Sequence, residues 1–327
     1  MITEVLLFRP KKKQTLDIIK LCESVEIKGD IESCARECHL TTMYPFRDKN
    51  HEKVFPSIGD IVYVNEGRTN LFFGMVMDRT LSMDERATFV CYDPIIHLTQ
   101  SYGTFNFKKA KPEDIARTVA KSAGMNIENL AATGITIDLI CENLSFYEII
   151  MQAYTKASIK NGKQYIPKMR GSKFNVIEKG SLNSDLVLSL DANITNFEYN
   201  SNILDMVNKV AMYNDSGKFL GSIQIDDWVN SFGVFQQVVQ KEEGKDIKAQ
   251  ARALIHGSTS TLSIEALGIS SCQTGHSVRV VLPYIDVTRN QNMFIDGDTH
   301  TYVIGSGLHT MQLNLNFENK MDRKEND

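Results

Sequence analysis

A mainly β chain of the α+β class, with a β domain at each end, is the fold that three features of the sequence predict. His309, Met311, Leu313, Leu315 and Phe317 alternate with Thr310, Gln312, Asn314 and Asn316. That period of two belongs to a strand with one buried and one wet face. Gly275 to Val280 echoes Gly59 to Val64: in both, a glycine turn launches an alternating Val-x-Val strand. An aromatic strand then follows, Phe72-Phe73-Gly74 in one copy and Met293-Phe294-Ile295 in the other. Between the two copies, from Pro112, the period becomes helical.

Residues 1–108 read as a small barrel or sandwich. Val25 to Ile27 leads to a Gly29-Asp30 turn, a hairpin spans Ile58 to Met77, and Asp93-Pro94 ends a further strand. Residues 109–195 read as an α+β domain. Its first helix has Pro112 in the first turn, Glu113 and Asp114 at the positive end of the dipole, and Ile115, Ala116, Val119, Ala120 and Ala123 on one face, with Gly124 as the stop. Its second has Ser145 and Glu148 at capping-box spacing and a stripe of Ile149, Ile150, Ala153, Tyr154 and Ala157 before Asn161-Gly162. From residue 196 to 318 β character returns, with a hairpin at Asp215-Ser216-Gly217 and a helical insertion at about 231–257. That insertion has Ile247, Ala251, Leu254 and Ile255 inward and Gly257 as cap. The closing hairpin turns at Gly305-Ser306-Gly307; a three-residue loop would pair Val303 with His309 and put His300 on the opposite face from His309. Residues 319–327 are charged and read as a disordered tail.

A net charge of −4, with Lys11-Lys12-Lys13 as the densest basic run, argues against a nucleic-acid or anionic-membrane binder, which needs a clustered basic surface. The sequence holds no apolar run of bilayer length, and the N-terminal apolar run precedes its lysines, the reverse of a secretory signal. A soluble protein made in the cytoplasm is expected, with Cys22, Cys34, Cys38, Cys91, Cys141 and Cys272 as free thiols in a chain too large to need disulfide staples.

Candidate sites are few. Cys34, Cys38 and His39 suggest a metal only on a helix; on a strand, Cys34 and Cys38 are about 13 Å apart, too far for one zinc. Asp296, Asp298 and His300 offer two carboxylates, short of a calcium loop, and read as a polar hairpin turn. No Gly-x-Ser-x-Gly elbow, Walker loop or dinucleotide fingerprint is present. No catalytic residue, metal or cofactor is therefore expected. Trp228, Phe232 and Phe235 concentrate aromatic surface outside the clearest strands, as core or as a partner interface.

Taken together, residues 25–40, 58–64, 71–76, 92–98, 191–210, 232–239 and 298–317 resemble, in the same order, the baseplate hub proteins of contractile phage tails and phage-tail-like bacteriocins, the PBSX-type hub family. Residues 297–311 and the Asn193 to Val210 block carry the likeness; Phe235 departs from it, where many members have leucine. The resemblance implies two tube-type β-barrel domains per chain joined by the α+β region, and a homotrimer forming a pseudo-sixfold ring between a sixfold tail tube and a threefold spike. Implied partners are the central spike protein, the tail tube protein and other baseplate proteins such as a LysM-type tail protein. It also implies assembly into the baseplate of a phage tail or extracellular tail-like particle. The rival expectations are a baseplate-associated peptidoglycan hydrolase, which would need a catalytic constellation, and a carbohydrate-binding module, which would need an exposed platform near Trp228.

Overall fold

The computed structural model describes residues 1–51, 53–241, 246–283 and 291–324, the side chains of 182–185 excepted. Residues 1–197 with 263–327 form one structural unit and residues 198–262 another. Strands dominate the larger unit. Its first seven are β1 (Glu4–Arg9), β2 (Gln14–Asp17), β3 (Cys22–Asp30), β4 (Glu37–Met43), β5 (Ile61–Glu66), β6 (Thr69–Leu81) and β7 (Arg86–Tyr92), in the spatial order β3-β4-β7-β6-β5-β1-β2. Alternation sets the interior: Val25, Ile27, Cys38, Leu40, Val62, Val64, Phe89 and Cys91 are buried in one apolar cluster.

A helical layer follows. It comprises α1 (Ile96–Gln100), β8 (Tyr102–Ala110), α2 (Pro112–Ser122), β9 (Asn126–Leu130), β10 (Ile137–Ser145), α3 (Phe146–Asn161), β11 (Tyr165–Arg170) and β12 (Lys173–Glu178). The start of α2 is fixed by Pro112, and Ile115, Ala116, Val119 and Ala120 are buried. A full capping box at α3 joins Ser145 to Glu148, and Gly162 ends the helix in the left-handed region. Their buried faces share one core with Leu139, Tyr165, Phe174 and Val176. Met321 packs into that core, Tyr147 donates its hydroxyl to Asp322 at 2.9 Å, and the Lys324 N–H bonds Thr155. The expected disordered tail is thus ordered through residue 324, because Met321 has apolar surface to bury; residues 325–327 lie outside the described ones.

The remaining main-sheet strands are β13 (Ser181–Ser189), β14 (Ile194–Asn202), β18 (Thr259–Leu267), β19 (His276–Val281), β20 (Gln291–Val303) and β21 (Leu308–Asn316). The order β3-β4-β7-β6-β5 recurs here as β14-β18-β21-β20-β19. Matching details accompany it. Gly59 and Gly275 have φ of 88° and 94°, the left-handed region glycine supplies at a turn. Val62 pairs with Gly74, and Val278 with Met293. Three residues beyond each partner, at Met77 and at Asp296, the ladder toward the next strand skips one residue.

Both halves meet at β20. Along one edge it is bonded to β21; along the other it pairs first with β19, over Gln291–Phe294, and then with β3, over Gly297–Val303. The closing hairpin pairs Val303 with Leu308 and Tyr302 with His309, so its loop has four residues and not three. A one-residue slip reverses every face, and His300 and His309 therefore share one side instead of lying on opposite sides. Met311, Leu313 and Leu315 are buried, whereas Gln312 and Asn314 are exposed, as the alternation predicts.

The smaller unit holds β15 (Lys209–Tyr213) between β16 (Phe219–Gln224) and β17 (Gln236–Gln240), with helices α4 (Asp226–Phe232) and α5 (Ile247–Leu254). Val207, Val210, Met212 and Ala251 form its core. Of the insertion expected at 231–257, residues 242–245 lie outside the described ones. The helix within it begins at an Asp246 cap as expected but ends at Ile255, not Gly257. Gly257 has another reason to be glycine: a Cβ there would sit 3.0 Å from the ring of Trp228.

Candidate functional site

Asp296 to His300 is not a turn but the middle of β20, and the skipped residue at Asp296 decides what points inward. Before it Met293 and Ile295 are buried; after it Asp298, His300 and Tyr302 are. The extra residue shifts the inward parity and puts a carboxylate and an imidazole in the interior. Asp298 is held by the two terminal guanidinium nitrogens of Arg36, at 2.8 and 2.6 Å, and by the N–H and hydroxyl of Thr274, each at 2.7 Å. Gly29, its cross-strand neighbour on β3, leaves room: a Cβ would come within 2.4 Å of an Arg36 nitrogen. Burial alone raises a carboxyl, but the charge and hydrogen bonds of Arg36 outweigh it and hold Asp298 down to about 2.

His300 donates from Nε2 to the Cys272 carbonyl at 2.7 Å, and its Nδ1 lies 3.0 Å from Nε2 of His309. A carbonyl only accepts, so neutral His300 carries its proton on Nε2, and His309 is the donor between the two rings. His309 stacks on Tyr302 at 3.9 Å between centroids. Burial, then the neighbouring His300, push His309 down to about 4, and burial lowers His300 as well.

Beside Arg36 opens a cavity of about 770 Å³, walled by β6, by Lys168 to Gly171 and by the segment from Ile269 to His276. The Lys168 ammonium lies 3.1 Å from His276 Nε2, while His276 Nδ1 faces the Ser181 hydroxyl at 3.0 Å. Burial, then the charge of Arg36, bring Lys168 down to about 7; burial, then Lys168, bring His276 down to about 4. Two carboxylates line the cavity. Glu66 bonds the chain's N-terminal ammonium and the Ser270 hydroxyl. Burial raises Asp93 to about 7, and its Oδ2 has no partner among the described residues.

The residues singled out in the sequence fall elsewhere. Cys38 is buried opposite Cys91, Cys34 lies in the segment before β4, and His39 Nε2 faces Glu37 at 2.5 Å. Among the described residues no group of three or more His, Cys, Asp or Glu side chains is placed to hold a metal. Asp296 binds Lys179 at 2.6 Å, a different partner from that of Asp298. Trp228 packs toward Gly257, Phe235 is half-buried, and Phe232 is exposed. Sequence reading missed Arg36 and Lys168. A signal for Arg36 was available: an arginine beside a buried alternating strand, with Gly29 where a side chain belongs. No helix among the described residues is long and apolar enough to cross a membrane.

The YQBQ-like family model matches residues 25–316. The phage-like element PBSX protein XkdQ of Bacillus subtilis (strain 168) is 24% identical over 96% of this chain and 98% of its own length. Among solved structures, the 43 kDa tail protein of prophage MuSo2 from Shewanella oneidensis is similar at a TM-score of 0.72 and 13% identity, over 96% of this chain and 98% of that one. An E. coli protein described as a type VI secretion system component structurally similar to T4 bacteriophage tail proteins gp27 and gp5 is similar at a TM-score of 0.52 and 8% identity, over 93% of this chain and 76% of that one. A mainly β fold shared with phage tail proteins and a family match spanning both copies of the repeated strand order lead to one conclusion: this chain belongs to the YQBQ-like family.

Proposed function

We propose that the chain is a structural, non-catalytic baseplate hub of a contractile tail, three copies of which form a pseudo-sixfold ring between a sixfold tube and a threefold spike. The observation that carries this reading is the strand order β3-β4-β7-β6-β5 repeated as β14-β18-β21-β20-β19, with its matched bulges. Two tube-type domains are drawn from residues 1–108 and 196–318, with 109–195 between them. Inside the chain, β3 of the first copy pairs with the outer half of β20 of the second. The corresponding outer half of β6, Met77 to Leu81, is exposed and has strand β7 on one side only among the described residues. Strand β14, the counterpart of β3, is the last in its order. Joining β14 of one chain to β6 of the next repeats the internal seam, and a head-to-tail contact of this kind closes into a ring.

The proposed partners are a second and third copy, the spike, the tube and other baseplate proteins such as a LysM-type one, with Trp228, Phe232 and Phe235 as a partner contact. Native mass spectrometry and particle reconstruction test the reading. Three chains per ring, with β14 beside β6 of the neighbour, are expected; six copies per ring, or a monomer inside an assembled particle, overturn it. The hydrolase alternative needs a free carboxylate pair in the usual case. In the cavity Glu66 is already bonded to the N-terminus and Ser270. Turnover of purified peptidoglycan would reverse the choice.

A further inference from the structure

We propose that the cavity beside Arg36 binds a small oxyanion of the phosphate class, with Lys168 and Arg170 as its cationic wall and His276 behind them. The proposal is independent of the hub reading. At about 770 Å³ the cavity falls within the range of small-molecule sites, about 300–1,000 Å³. Its walls come from β6, β11 and the Ile269 to His276 segment, all within the larger unit.

The charges in it do not balance. Arg36 is neutralised by Asp298 and Glu66 by the N-terminus, while burial raises the other carboxyl of the lining, Asp93, to about 7 and so weakens its charge. Among the described residues Lys168 and Arg170 have no carboxylate partner, and the Lys168 ammonium has one hydrogen-bond partner, the neutral ring of His276. An enclosed ammonium without a counter-charge is costly, and replacing it by an apolar chain would remove the cost. A lysine kept in such a wall, next to a second free cation and an open volume, has the make-up of an anion receptor. The charged and titratable groups facing Lys168 are Arg36 before β4, Asp298 on β20, His276 on β19 and Arg170 on its own strand. Three of the four disfavour its proton or leave it unassisted. An entering dianion reverses the sign of that environment, so binding near pH 7 draws a proton onto Lys168.

The test uses the purified full chain and inorganic phosphate, at ionic strength held constant with sodium chloride. Isothermal titration at pH 7 should show saturable binding, with an apparent enthalpy that varies with the ionisation enthalpy of the buffer in the direction of proton uptake. Lys168→Met should weaken binding at least about tenfold, a free-energy loss of about 1.4 kcal/mol, and abolish the buffer dependence. Should Lys168→Met fail to fold, Arg170→Gln, which alters an exposed side chain, serves in its place with a loss of several-fold. Absence of saturable binding to the wild-type chain, or binding that the folded variant leaves unchanged, overturns the site.

Discussion

The two units of this chain treat charge and carbon in opposite ways. In the larger one, Arg36 and Asp298 are enclosed and paired, and the inward faces of β3 to β7 are mostly apolar, Thr42 being the buried polar residue on β4. In residues 198–262 the enclosed cluster is Val207, Val210, Met212 and Ala251, while Leu204, Phe219, Phe232, Val234 and Val238 lie open. Leu204 is 84% exposed and Val234 58%. Size accounts for this: a small unit has too little interior to cover its apolar side chains. The larger unit therefore rests on its interior, whereas the smaller one leaves much of its apolar surface open.

Four experiments press on that contrast, from the strongest effect to the weakest. Leu313→Asp puts an unpaired carboxylate on the buried face of β21 and should leave no soluble protein, whereas Asn314→Asp on the wet face should stay soluble. Equal solubility of the two in expression trials would refute the register. Asp298→Ala strands the Arg36 guanidinium in the interior and should cost about 3–5 kcal/mol in urea unfolding. Replacing both partners by apolar residues should recover much of that loss, which a double-mutant cycle would read.

The pH dependence follows from the histidines. His276 and His309 are both held at about 4, below their ordinary range, so the folded state binds fewer protons than the unfolded chain between about 4 and 6.5. Their contribution is present above about 6.5 and lost as pH falls toward 4. Asp93, held up to about 7, works the other way over the same window, because the fold favours its protonated form. Two histidines outweigh one carboxyl, so thermal melts should show Tm dropping over this window, and His309→Gln should flatten the slope. Asp298 adds its own loss only at lower pH, as it is protonated between about 4 and 2. At the weak end, Val238→Ser in the smaller unit should change stability by no more than about 0.5 kcal/mol. A larger loss in the isolated protein would mean that Val238 belongs to a core after all.

How much of this was legible in the sequence depended on whether the signal was local. The capping box at Ser145, the stripe of α2 and the alternation of β21 are written within a dozen residues, and all three appear in the fold. The echo of Gly59 at Gly275 was legible too, because turn glycines and Val-x-Val strands have fixed chemistry. The buried cluster was not. It depends on one skipped residue at Asp296, on a four-residue loop where three were expected, and on Arg36 reaching Asp298 across most of the chain. Lys168 was invisible for a similar reason: an isolated lysine on a short strand looks solvated until β6 and the Ile269 to His276 segment close around it.

The pairing of β3 with β20 also imposes an order in time. Asp30 is opposite Gly297, so the strand is made about 270 residues before its partner, roughly 15–50 s at about 5–20 residues per second. Throughout that interval the nascent chain carries a finished edge with its N–H and carbonyl groups unanswered. Glu26 and Lys28, paired at 2.8 Å on the wet side of β3, give that edge the charges that discourage another strand from docking there. Synthesis of β20 is then the event that covers this edge, and a chain truncated before residue 291 would keep it open to the wrong neighbour.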